Sequence, residues 1–101
     1  MQTLKLAPEL FLALERGIKK VTIRLGQRDV TLGRLLFEST TNVDVKKSVF
    51  VRSVTLTRFI DLSPDVVQAE GAKDLDELYE AMRKFYPNLM WHDVVTVITW
   101  L

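Results

Sequence analysis

The sequence predicts an α+β domain whose antiparallel or mixed sheet curls into a small β-barrel with flanking helices. Three observations carry that expectation. Residues 20–25, KVTIRL, alternate apolar and polar, the period-two signature of a strand with one buried face. Residues 47–60 form a long run rich in Val, Leu, Phe and Thr, apolar on both faces, so that strand must be bent, bulged or covered on both sides. The element order is helix, several strands, two helices and a terminal strand, which argues for α+β with an antiparallel or mixed sheet. At 101 residues, with 48% hydrophobic and 27% charged, residues 1–101 make one domain, long enough to bury one core and too short for two.

The elements follow from local chemistry. Pro8 suits a first helical position, Leu10, Phe11 and Leu14 recur at helical spacing, and Gly17 ends a helix over 8–16. In the strand 20–25, Val21, Ile23 and Leu25 point one way and Lys20, Thr22 and Arg24 the other. Gly26 to Asp29 supply a turn, Gly33 a second bend, and strands are expected over 34–40 and 47–60. Ser63 caps and Pro64 opens a short helix to about Ala69. Leu75, Leu78, Tyr79, Met82 and Tyr86 form the apolar stripe of a helix over 75–86, capped by Asp74 with Glu77 in a capping-box position and stopped by Pro87. Residues 93–101 read as a final buried strand.

Composition excludes several classes of function. There is no cysteine and one histidine, so a disulfide framework, a thiol nucleophile and a Cys/His metal site are excluded. No apolar run approaches the roughly 20 residues a bilayer span needs, and Glu9 and Glu15 interrupt the apolar N-terminus as they would not in a signal peptide. The expectation is a soluble cytoplasmic protein without membrane partners. No cofactor is expected, since no phosphate-binding glycine loop, dinucleotide fingerprint or nucleophile elbow is present. The net charge of +1 conceals an asymmetry: residues 1–60 hold eleven Lys/Arg against five Asp/Glu, and the remainder three against eight. Such a division marks either an anion-facing surface or two halves that attract each other.

The segment GIKKVTIRLGQR, residues 17–28, places Lys19, Lys20 and Arg24 between two glycines and Arg28 just after the second. Lys19 falls at a helix-to-strand corner, where side chains can converge on a ligand. Strand alternation points it away from Thr22 unless the corner turns it. The competing reading of this stretch is a solvated strand face. Lys46-Lys47 read as a loop tip, His92 as a loop or core residue, and Trp91 and Trp100 as core or rim aromatics.

Gly17-Ile18-Lys19, then Thr22-Ile23-Arg24, then Gly33 resemble the signature of the ASCH domain family. Ala69-Glu70-Gly71, Leu75-Asp76-Glu77-Leu78 and Tyr86-Pro87 are similar to its downstream segments, and VVTVITWL stands where that family closes its barrel. The family usually carries Asp after the turn glycine, where this chain has Arg34. The resemblance, from Leu10 to Leu101, implies a PUA-like barrel associated with RNA binding and RNA modification. It further implies a cleft beside the G-x-K corner. One branch of the family removes the acetyl group from N4-acetylcytidine with a Lys, a Thr and a Glu, which fall by motif on Lys19, Thr22 and Glu70.

Three functions follow as expectations. The first is binding of RNA or a modified nucleoside by Lys19, Lys20, Thr22, Arg24, Arg28 and Arg34. The second is an amidohydrolase with Lys19, Thr22 and Glu70 as its catalytic residues. In that reaction a Thr hydroxyl needs a neighbour to take its proton, and a carboxyl of raised pKa can protonate the leaving amine. The third is a protein-interaction module in transcription or translation. Convergence of Lys19, Thr22 and Glu70 in one pocket separates the second from the first, which a long basic groove would favour.

Overall fold

The computed structural model describes residues 1–101 and is α+β. Its elements are β1 (Gln2–Leu6), α1 (Phe11–Glu15), β2 (Val21–Leu25), β3 (Gly33–Ser39), β4 (Lys46–Arg58), α2 (Pro64–Ala69), α3 (Leu75–Arg83) and β5 (Val94–Trp100). One sheet runs in the order β1-β3-β4-β5-β2. Only the β1–β3 pair is parallel, and the other pairs are antiparallel, so the sheet is mixed. The sheet curls into a half-barrel rather than a closed one, because no ladder joins β1 to β2. No helix is long and apolar enough to cross a membrane.

Most of the expected elements form, with shifted ends. The first expected helix is shorter, because Pro8–Leu10 is a 3-10 turn and the α-helical part begins at Phe11. Ser63 accepts from the Val66 N–H and opens α2. Asp74 accepts from the Glu77 N–H and opens α3, while the Glu77 side chain reaches back to the Lys73 N–H. α3 ends at Arg83, so Tyr86 lies past it rather than in its stripe. The long strand is bulged, its register against β5 shifting between Val51 and Ser53. Lys46 and Lys47 open β4 as exposed strand residues, not a loop tip. Strand β1 was not expected from the sequence: its alternation of Leu4 and Leu6 with Thr3 and Lys5 is short, and it is held by pairing with β3, its register partners lying 33 residues downstream.

The expectation of a single core needs correction, because the sheet divides the apolar interior. One cluster joins Leu6, Phe11, Leu14, Leu35, Phe37, Val51, Ile98 and Trp100, gathering α1 onto the sheet. The other joins Val21, Ile23, Val95 and Val97 to Phe59, Val67, Leu78, Tyr79, Met82 and Leu89, seating α2 and α3. Strand β5 belongs to both, its even residues Ile98 and Trp100 on one side and its odd residues Val95 and Val97 on the other. In the second core Tyr79 stacks on Trp91 with ring centroids 4.1 Å apart, and Phe59 meets both rings edgewise or tilted.

The Tyr79 hydroxyl donates to the Leu89 carbonyl at 2.7 Å inside this core. Tyr79→Phe keeps the ring stack and orphans that buried acceptor, so the urea midpoint is expected to fall by the equivalent of about 1–3 kcal/mol at unchanged slope. An unchanged midpoint would show that the hydroxyl contributes nothing to stability.

Candidate functional site

The site begins at the corner between α1 and β2. Arg16 ends the helix and Gly17 follows at φ 72°, the left-handed conformation that favours glycine. The Ile18 N–H reaches the Ala13 carbonyl at 2.9 Å and the Gly17 N–H reaches Leu14 at 3.2 Å, a paired helix-closing motif. Lys19 leaves this turn against β5. The Trp100 indole N–H donates to the Lys19 carbonyl and the Trp100 N–H to the Lys20 carbonyl, each at 3.1 Å. The corner therefore has a fixed direction, and it turns Lys19 inward. Trp100 is buried core, pinning the corner rather than lining a binding surface.

Lys19 Nζ donates to the Val21 carbonyl at 2.7 Å and to Glu70 Oε1 at 3.5 Å. Both side chains are largely buried, with 10% and 17% of their surfaces exposed. Glu70 is the residue at which α2 ends, and Gly71 turns the chain away after it at φ 87°. On β2, Thr22 is 5% exposed, and its Oγ1 accepts from Arg24 Nε at 3.1 Å. Lys19, Thr22, Arg24 and Glu70 thus meet on one cavity of about 520 Å³. Its other walls are Lys5, Leu6 and Ala7 at the end of β1, Leu10, and Leu78, Ala81 and Met82 of α3, with Phe85 and Tyr86 just beyond that helix. A volume of this size lies within the range of about 300–1,000 Å³ usual for small-molecule sites.

Electrostatics follow from charges placed beside apolar walls. Burial raises the Glu70 carboxyl above its ordinary value of 4.5, and the positive charge and hydrogen bond of Lys19, with the charge of Arg24, only partly counter it. Burial also lowers the Arg24 guanidinium from its ordinary value. Tyr86 and Glu70 oppose that shift and Arg28 reinforces it. Arginine stays protonated in proteins, so Arg24 remains a fixed donor. A largely buried carboxyl raised above its ordinary value between two cations is the kind of group that takes part in proton transfer.

The remaining candidates separate in space. Arg28 Nε donates to the Leu25 carbonyl at 3.0 Å, beside the cavity rather than on its wall. Lys20 sits on a shallower hollow with Ile18, Asp65 and Thr99. Arg34 is exposed on β3 opposite Phe50 and reaches neither. His92 is exposed in the turn before β5. No group of three His, Cys, Asp or Glu side chains stands close enough to hold a metal ion. Sequence reasoning missed Lys5, Phe85 and Tyr86 as cavity residues. Only the Tyr86-Pro87 pair gave any signal, and it marked the end of a helix. Comparison with known protein families, curated proteins and solved structures yields no match.

The raised Glu70 carboxyl makes stability depend on pH. Its protonated form is the one the fold prefers, so this contribution is full below the ordinary carboxyl value and is lost as pH rises through the higher folded-state value. Glu70→Gln removes that titration. Urea midpoints measured from pH 4 to 8 are expected to fall with pH in the native chain relative to the variant, and parallel profiles would contradict the upward shift.

Proposed function

We propose that the protein is a small amidohydrolase of the ASCH type, on a PUA-like half-barrel, that removes an acyl group from the exocyclic amine of a cytidine nucleoside. One observation carries this reading: Lys19, Thr22 and Glu70, the residues that the motif resemblance singles out, lie on one cavity of about 520 Å³. A nucleoside fits such a volume. A polymer groove would need the basic side chains in a continuous line, and Lys20 and Arg34 stand away from the cavity.

The roles in this reading start from the contacts of Lys19. Lys19 Nζ donates to two acceptors, so its part is to donate and to orient Glu70. In the proposed reaction Glu70 takes the proton of the Thr22 hydroxyl as Oγ1 adds to the acyl carbonyl. The N–H groups of Lys19 and Arg24 meet the oxyanion that forms. Collapse breaks the C–N bond, and Glu70 returns the proton to the leaving amine. Water then cleaves the Thr22 ester by the same path, releasing the carboxylic acid and restoring the hydroxyl. Each round consumes one water and yields one amine and one acid. The apolar wall of Leu78, Ala81 and Met82 lowers the local dielectric in which these charges act.

Purified protein is expected to convert N4-acetylcytidine to cytidine and acetate, followed by chromatography. Thr22→Val and Glu70→Gln should each lower kcat/KM by about 10²–10⁴-fold, with Thr22→Ser recovering part of the loss. The acidic limb of the pH profile should lie above 4.5, the ordinary carboxyl value, because the base must be ionised. An inactive native protein, or a Thr22→Val variant of full activity, would overturn the proposal.

A further inference from the structure

The cavity runs along the free edge of β2, and side chains of the same chain cap two of the three carbonyls on that edge. Strand β2 pairs only with β5, on one side. The Gly26 N–H donates to the Val94 carbonyl and the Trp100 N–H to the Lys20 carbonyl, which sets the alternation of the ladder. In an antiparallel pair, opposed residues alternate between exchanging both backbone hydrogen bonds and exchanging none. Thr22 and Arg24 are therefore the residues bonded to Ile98 and Thr96, and the N–H and C=O groups of Val21, Ile23 and Leu25 face away from β5.

Three carbonyls accordingly line the open edge. The Val21 carbonyl accepts from Lys19 Nζ at 2.7 Å, and the Leu25 carbonyl accepts from Arg28 Nε at 3.0 Å. The Ile23 carbonyl, between them, has no partner, and neither has the Ile23 N–H. Ile23 and both its neighbours, Thr22 and Arg24, line the cavity although successive side chains point to opposite faces. That is what an edge-on approach to the strand looks like. The two caps make the edge a poor template for another strand, since a peptide would meet occupied acceptors on either side.

We propose that the N–H and C=O of Ile23 form the recognition edge of this cavity and pair with a planar ring bearing an acceptor and a donor side by side. For an N4-acylated cytosine the ring N3 accepts from the Ile23 N–H, and the N4–H donates to the Ile23 carbonyl. The identification of the ring rests on the nucleoside reading above. The pairing replaces the missing strand residue, as one hydrogen-bonded pair of an antiparallel ladder would. The backbone thus selects the base, while Lys19, Thr22, Arg24 and Glu70 stand beside it to act on the acyl group.

A protein with an ester in place of the Ile23 amide, made by incorporating the corresponding α-hydroxy acid, lacks this one donor and keeps the side chain. Binding is read by titration with N4-acetylcytidine and with its 3-deaza analogue, in which a C–H replaces N3, every protein carrying Thr22→Val so that the ligand is not consumed. The protein with the native backbone is expected to bind the analogue about tenfold more weakly, about 1.4 kcal/mol. The Ile23 ester should remain folded, lose about tenfold in affinity for N4-acetylcytidine and no longer distinguish the two ligands. An ester at Leu25, whose N–H also faces outward but off the cavity, serves as control and should bind as the native backbone does. Equal affinity of the native backbone for both ligands, or an Ile23 ester that still discriminates, overturns the pairing. Binding without hydrolysis when Thr22 is present refutes the proposed activity and leaves the pairing to be decided by the same titrations. Failure to bind the nucleoside at all overturns both.

Discussion

Strand β5 is the element on which the rest depends. It is paired on both sides, to β4 and β2, and buried on both faces, with Val95, Thr96, Val97 and Ile98 all at or below 6% exposure. Its two faces supply the two cores, so neither α1 nor the α2–α3 layer has a sheet to pack on without it. Its last residue carries the constraint into the site. Trp100 fills the first core against Phe37, with ring centroids 5.1 Å apart, and holds the Lys19 and Lys20 carbonyls with its two N–H groups. A core aromatic and the direction of a functional corner are thus one interaction.

The charged group in the cavity is a balance between desolvation and pairing. A buried ion pair contributes little net stability, because taking two charges out of water offsets most of their attraction. At 3.5 Å the Lys19–Glu70 contact is long for a strong pair, and burial prevails on Glu70, whose carboxyl is raised despite two neighbouring cations. A tighter pair would hold the carboxylate ionised and leave it unable to carry a proton. The geometry keeps a raised carboxyl instead of a maximally stable bridge. Arg24, fixed on the strand next to Thr22, adds a donor that does not titrate.

An incompletely closed barrel has two open edges, and this one uses the gap. The free ends of β1 and β2 both contribute to the cavity wall, β1 through Lys5 and Leu6, β2 through Thr22 to Arg24. Open edges invite pairing with other chains. Here Lys19 and Arg28 turn back onto the backbone of β2 at Val21 and Leu25 and leave one of its three outward carbonyls free. The same two cations that looked like an anion-binding stripe in the sequence spend hydrogen bonds on their own strand. Those contacts hold both side chains against their own strand rather than extended along an open surface.

The sequence by itself determined the elements whose signals are local. The alternation of KVTIRL sets β2, Ser63 and Asp74 set two helix starts through their own side-chain oxygens, and Gly17 sets a helix end that needs a positive φ. The choice of Lys19, Thr22 and Glu70 as the residues of interest was also legible, though from motif resemblance, and strand alternation alone argued against Lys19 meeting Thr22. Only the tertiary structure decided that they meet, because the turn at Lys19 is held by Trp100, 81 residues away. The parallel pairing of β1, the presence of Tyr86 at the cavity and the upward shift of Glu70 were equally out of reach. Each depends on which distant groups exclude water from a given atom, and burial is a property of the whole fold, not of any segment of the chain.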